Sequence, residues 1–237
     1  APLVIEVLPG LTTQVFETTA QAYRQAEAQS QGTDVLLNTE VCREAGELER
    51  TWLTTAAALG TNHLVSEVFT GVNLDRTAQL REQTLIRLVE ATTTHTMVSA
   101  RKVAIQALRA FVDAWMANSH LTPGVSADVS VPQQDVVPGF TQFVLERICT
   151  DCCIVPIMRG DLNLSDAVSV TVLNESNAIL SIAFARQRAA LEAVMSQFFP
   201  AILPGIHQDR VAQIMTEYAR ILVSQDGVKS TNSNSKS

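Results

Sequence analysis

Along most of the chain apolar residues return every three or four positions, the period of a helix with one face turned inward. Val15, Phe16, Ala20, Tyr23 and Ala26 predict a helix from Leu11 to about Gln31. Gly32-Thr33-Asp34 breaks it and offers a fresh N-cap. Val35, Leu37, Val41, Ala45, Leu48, Trp52 and Ala56 then carry a second stripe as far as Gly60. Thr61-Asn62 caps a shorter helix with Leu64, Val65, Val68, Phe69 and Val72. Asp75 opens the longest element, which runs to about Ser119 with Leu80, Leu88, Ile105, Leu108, Phe111, Val112 and Trp115 on its apolar side. Its weak point is Thr92-Thr93-Thr94-His95-Thr96, where β-branched residues lose side-chain freedom against the preceding turn. A kink or a helix-loop-helix at that spot stays open.

Other stretches alternate or break instead. Residues 2–8 read as extended and stop at Pro9-Gly10, a turn signal. Residues 121–139 hold Pro123, Pro132 and Pro138 with alternating Val125, Val129 and Val131, which excludes a helix and predicts an extended arm or linker. Phe140–Cys153 returns to helix, and Ile154–Met158 suggests a short strand broken by Pro156. Ser165-Asp166 caps the next segment, where Val168, Val170 and Val172 alternate before a helix takes over from Asn177 to Pro200. After Pro204-Gly205, residues 206–224 form a last amphipathic helix. The tail from Gly227 is Ser/Asn/Lys and reads as disordered. No repeat of fixed period is visible.

The fold class that follows is mainly α: an elongated bundle of six to eight helices with a proline-rich extended arm and minor β at residues 2–8, 121–139 and 154–173. The expected division is an N-terminal helical region 1–120, the arm 121–139, a C-terminal helical region 140–226 and the polar tail 227–237.

Composition changes this picture in two ways. Charged residues make up 17% of the 237, against an ordinary ~25%, and only three lysines occur, Lys102, Lys229 and Lys236. The net charge of -7 and a pI near 5.1 argue against a general binder of nucleic acid or anionic lipid. Charge is also uneven, with residues 1–75 at -7, 76–110 at +4 and 111–237 at -4. Blocks of opposite sign suit complementary packing of copies. Low charge suits a subunit covered by neighbours, since interface cores are depleted in Lys and Glu.

Candidate chemistry is sparse. Cys149, Cys152 and Cys153 share a helical face; with Cys42 or a distant histidine they could hold a soft metal or act in redox, but packing explains them as well. Unpaired cysteines favour a reducing compartment. No nucleophile elbow, zinc-protease motif or phosphate loop occurs. Glu40, Glu44 and Glu47 share one face, with Glu49 nearby, and read as a solvated acidic surface. Arg76, Arg87 and Arg109 fall at multiples of 11 residues, which returns a continuous helix to nearly the same face. This basic stripe, with Arg81, Arg101 and Lys102 beside it, is expected to meet the acidic N-terminal region of the same or a neighbouring copy. Arg159-Gly160-Asp161 matches an adhesive tripeptide and equally suits an ordinary turn.

The main functional expectation is therefore a self-assembling structural subunit, such as a coat, capsid, sheath or filament protein. Its interface candidates are Arg76, Arg87, Arg109, Val125, Val129 and Val131. No catalytic, cofactor-binding or metal-binding residue is assigned and no cofactor is expected. Copies of the chain are the expected partner, nucleic acid the lesser one, and no apolar run reaches the ~18 residues of a membrane span. The expected location is the cytoplasm or an assembled particle. The alternatives are a helical binding or regulatory module with an acidic N-terminal face and a basic stripe, and an enzyme whose site a single sequence does not expose.

Overall fold

Helix α1 (Pro2–Gln29) runs straight through the predicted Pro9-Gly10 turn. The residues behind this are Leu8, Thr12, Val15 and Thr19, which recur at helical spacing and are all buried. The Thr12 hydroxyl donates to the Leu8 carbonyl at 2.7 Å and accepts from the Trp52 indole N–H at 3.1 Å. The extended expectation for residues 2–8 is thus wrong; packing against Trp52 overrides the local turn signal.

The structure, a computed structural model, describes residues 2–29, 40–62, 67–71, 75–95, 97–118 and 134–203, with single positions between 209 and 220. After α1 come α2 (Glu40–Thr61), the one-turn α3 (Glu67–Thr70), α4 (Asp75–Thr94) and α5 (Val98–Trp115). The next rod is α6 (Phe140–Phe143), a π-helical stretch (Val144–Ile154) and α7 (Val155–Arg159), and α8 (Ala167–Ile202) follows. Among the described residues there is no strand, so the fold is mainly α and multi-helical as expected, without the minor β component.

Valine alternation misled at two places. Val168, Val170 and Val172 lie in the first turns of α8, which Asp166 caps by accepting from the Ser169 N–H at 2.9 Å. Ile154–Met158 is helical, and within one continuous rod Pro156 sits where the π-helical stretch hands over to α7. Just before it the hydrogen-bond spacing widens: the Val155 N–H reaches back five residues to the Thr150 carbonyl. The long predicted helix divides at the threonine run, as one of its two open readings had it. Thr92, Thr93 and Thr94 each turn the hydroxyl back to the carbonyl four residues earlier, at 2.8–2.9 Å. Residues 121–133 and the tail 227–237 lie outside the described residues, as does most of the predicted last helix.

The helices pair in chain order: α1 with α2, α4 with α5, and the π-helical stretch with α8. The second members also pack side by side, α2 on α5 and α5 on α8, while the first members touch in the same order. The result is a two-layered stack of three helical pairs, an architectural repeat that leaves no fixed period in the sequence. Its centre is aromatic. Phe111 stacks on Trp115 at 4.3 Å, Trp115 meets Phe140 edge-on at 5.4 Å, and Phe69 of α3 fills in beside both. Helices α2 and α5 approach closely at Gly60, where an added Cβ would lie 2.2 Å from the Phe111 ring.

Candidate functional site

The candidate interface residues do not come together. Arg76 belongs to α4. Arg87, also on α4, pairs with Glu90 at 2.8 Å and lies over the Phe16 ring of α1 at 4.7 Å. Arg109, on α5, pairs instead with Glu175 of α8 at 2.8 Å. The multiple-of-11 rule presumes one unbroken helix, and the break after Thr94 sends Arg87 and Arg109 to different neighbours. Val125, Val129 and Val131 lie outside the described residues. Both ends of the segment that carries them are held at one place, because the Ala117 N–H donates to Asp135 at 3.0 Å and the Val136 N–H to the Trp115 carbonyl at 3.0 Å.

The acidic surface of α2 is present as read for three of its four carboxylates. Glu40, Glu44 and Glu47 are exposed, with Arg43 3.5 Å from Glu40 and Arg50 2.6 Å from Glu47. Exposed Val41 and Leu48 flank this stripe on one side. Glu49 belongs to the opposite, buried face and bonds the His95 ring at 2.7 Å.

The three clustered cysteines are fully buried, and Cys42 is buried as well. Burial pushes the Cys149 thiol up to about 12, and burial with the neighbouring charges pushes Cys152 and Cys153 up too. Protonated thiols are poor nucleophiles and poor metal ligands, so they pack as small apolar groups. Among the described residues no cluster of histidine, cysteine and carboxylate could hold a metal ion. Arg159-Gly160-Asp161 ends α7: the Gly160 N–H donates to the Ile157 carbonyl and the Asp161 N–H to the Pro156 carbonyl, the pattern that closes a helix at a glycine. This is the turn reading of that tripeptide.

Two buried polar junctions escaped the sequence reading. Arg186 of α8 donates through Nη1 to the carbonyls of Val112, Asp113 and Met116, and through Nη2 to the Asp113 carboxylate at 2.7 Å. Its neighbour Gln187 leaves helical geometry (φ -140, ψ 44) and donates to the Ala117 carbonyl. His95 and Glu49 form the second. A signal for both exists: Glu49 falls among buried Cys42, Ala45, Trp52 and Ala56, and Arg186 follows buried Val172, Ser176, Ile179 and Ala183. A charge at a stripe position announces a buried partner.

A stack of helical pairs whose polar groups serve junctions defines a helical-repeat scaffold, a class that presents extended surfaces to partners. Comparison with known proteins narrows the class. The Exportin-T family model matches residues 4–231, and the chain belongs to the Exportin-T family. Exportin-T of Oryza sativa subsp. japonica is 24% identical over 138 residues, 58% of this chain and 12% of the relative. Exportin-T of Arabidopsis thaliana is 25% identical over 167 residues, covering 69% and 15%. That of Botryotinia fuckeliana is 25% identical over 201 residues, covering 83% and 18%. The chain thus spans less than a fifth of the length of these relatives. No solved structure gives a significant match.

Family membership overturns the main functional expectation. The family is one of nuclear transport receptors, so coat, capsid, sheath and filament readings are wrong, and the binding-module alternative is the better one. The expectation of copies of the chain as the main partner, with nucleic acid the lesser one, falls with them. So does the placement in the cytoplasm or an assembled particle, since members of this family move between nucleus and cytoplasm. The physical reason for the error is that a surface sparing in charge suits contact with any large partner, and composition does not say whether that partner is a copy.

Proposed function

We propose that this chain is a segment of a nuclear export receptor and works by binding, without catalysis. The match to the family along residues 4–231 carries this reading. The stacked helical pairs support it, because such stacks offer broad surfaces to macromolecules. The partners that come with the family are transfer RNA, GTP-loaded Ran and nuclear pore components. For this segment, charge favours a protein partner over RNA. A net charge of -7 repels phosphate, and Arg87 and Arg109 already face carboxylates. The exposed Glu40, Glu44 and Glu47, with Val41 and Leu48 beside them, suit a basic protein surface. Within the division 1–120, 121–139, 140–226 and 227–237, we assign Val125, Val129 and Val131 of the second part, with Arg76, as a further contact; Arg87 and Arg109 are taken up by Glu90 and Glu175.

Deleting this segment from the full-length receptor is expected to make export cargo accumulate in the nucleus; unchanged export would overturn the reading. Titrating the chain separately with labelled transfer RNA and with GTP-loaded Ran tests the choice of partner. The RNA titration should stay flat, whereas saturable RNA binding by the chain alone would sink the protein-facing assignment.

A further inference from the structure

The turn between α4 and α5 is tied to the first helical pair by side chains rather than by backbone. His95 is buried, and its Nδ1 accepts the Met97 N–H at 3.0 Å. That bond leaves the ring proton on Nε2, which donates to Glu49 Oε2 of α2 at 2.7 Å, so the pair needs no imidazolium. The Arg101 guanidinium of α5 holds the His95 carbonyl, and Tyr23 of α1 meets the ring edge-on at 6.5 Å. Met97 fits a notch at Gly46 of α2, where an added Cβ would lie 2.0 Å from its sulfur. The remaining contact between α2 and α5 is apolar, made by residues such as Leu53, Ala56, Ala104 and Leu108.

Apolar packing is non-directional, and two helices with small buried residues can slide by a turn while burying similar area. A buried hydrogen bond has no such freedom, because a slip of one turn leaves both partners buried and unsatisfied. We propose that the His95–Glu49 bond is a register pin, setting how the first helical pair seats on the second and contributing specificity rather than net stability. Buried polar pairs of this kind are often replaceable by apolar residues without loss of stability, while removal of one partner alone is costly. In a stack of pairs the seating of one pair on the next sets the curvature of the surface offered to partners. The pin therefore acts on shape at a distance from any contact, and it stands independently of which partner the segment meets.

The test uses the 237-residue chain with both positions made apolar, Glu49→Leu with His95→Leu, beside the conservative Glu49→Gln, whose amide oxygen still accepts from Nε2–H. Circular dichroism reads helix content, and amide hydrogen exchange reads α1, α2 and the turn at 95–101. The double variant should keep native helix content and melt cooperatively, while amides of α1 and α2 exchange about tenfold faster or more, as expected of a pair that samples several seatings. Glu49→Gln should exchange like the native chain. Native exchange in the double variant would show that apolar packing alone sets the register. Failure of the double variant to fold would show that the pair carries stability instead. A Glu49→Gln variant as perturbed as the double one would show that charge, not the hydrogen bond, matters. Each of these three results overturns the proposal.

Discussion

Helix α5 starts at one buried polar junction and ends at another, and the two are built differently. At its C-terminal end Arg186 brings a cation to three backbone carbonyls where the helix runs out: that of Val112, which also accepts the Met116 N–H, that of Asp113 in the last turn, and that of Met116 just beyond it. At its N-terminal end the N-cap residue Met97 offers no side-chain cap of its own; the His95 ring accepts its N–H and bridges it to a carboxylate on another helix. The first junction satisfies groups that exist in any sequence, so its loss leaves orphans whatever replaces it. The second links two groups that its own side chains introduce, the Nε2–H and the Glu49 carboxylate, and holds one backbone group besides, the Met97 N–H, so removing the pair together leaves that single N–H to find another partner. Capping secures stability here, and side-chain pairing secures position.

The comparison can be broken from its centre outward. Trp115, buried in the same turn that Arg186 binds and stacked on Phe111, anchors the end of α5. Trp115→Ala should cost about 3–5 kcal/mol in chemical denaturation. Indole fluorescence fully open to iodide in the native chain would contradict the burial that this rests on. Arg186→Met should cost about 3 kcal/mol, since its stem still packs but the carbonyls of Val112, Asp113 and Met116 lose a charge-assisted donor. A change below about 1 kcal/mol would mean that water replaces the guanidinium without penalty. Gly60→Ala should cost about 1–3 kcal/mol by driving a methyl group into the Phe111 ring.

Alkaline pH reads the burial of the cysteines in the third helical pair. The Cys149 thiol has an ordinary value of 9.0 and is pushed up to about 12 in the fold by burial. The folded state therefore keeps its proton where the unfolded chain has lost it. This contribution to stability is whole below pH 9 and declines progressively between 9 and about 12. Cys149→Ala should flatten the fall in stability between pH 8.5 and 10 by about 1 kcal/mol, read as the change in slope rather than the absolute midpoint. The smallest effect belongs to the surface of α2: Arg43→Ala should shift stability by less than about 0.5 kcal/mol, because Arg43 and Glu40 are 69% and 75% exposed and 3.5 Å apart.

Helical periodicity made most elements legible because it reports directly which face is buried. The Trp52 and Trp115 stripes, the Asp166 cap and the weakness of the threonine run are all local facts of spacing and side-chain chemistry. Alternation was the poorer guide. At Val168, Val170 and Val172 it suggested a strand, yet these residues join a helix whose buried positions include Val172, Ser176 and Ile179. The same limit applied to the arginines, where a spacing rule held only as long as the helix did.

The sequence by itself determined that this chain is helical and where its inward faces run, because those properties belong to neighbours within a few turns; whether the clustered cysteines do more than pack it left open. Tertiary structure alone decided that the helices stack as three pairs, that Glu49 faces His95 across 46 residues and that Arg186 caps a helix about 70 residues away. Such pairings depend on how separate helices are seated against one another. A periodic pattern records that a face is covered; it does not record by what.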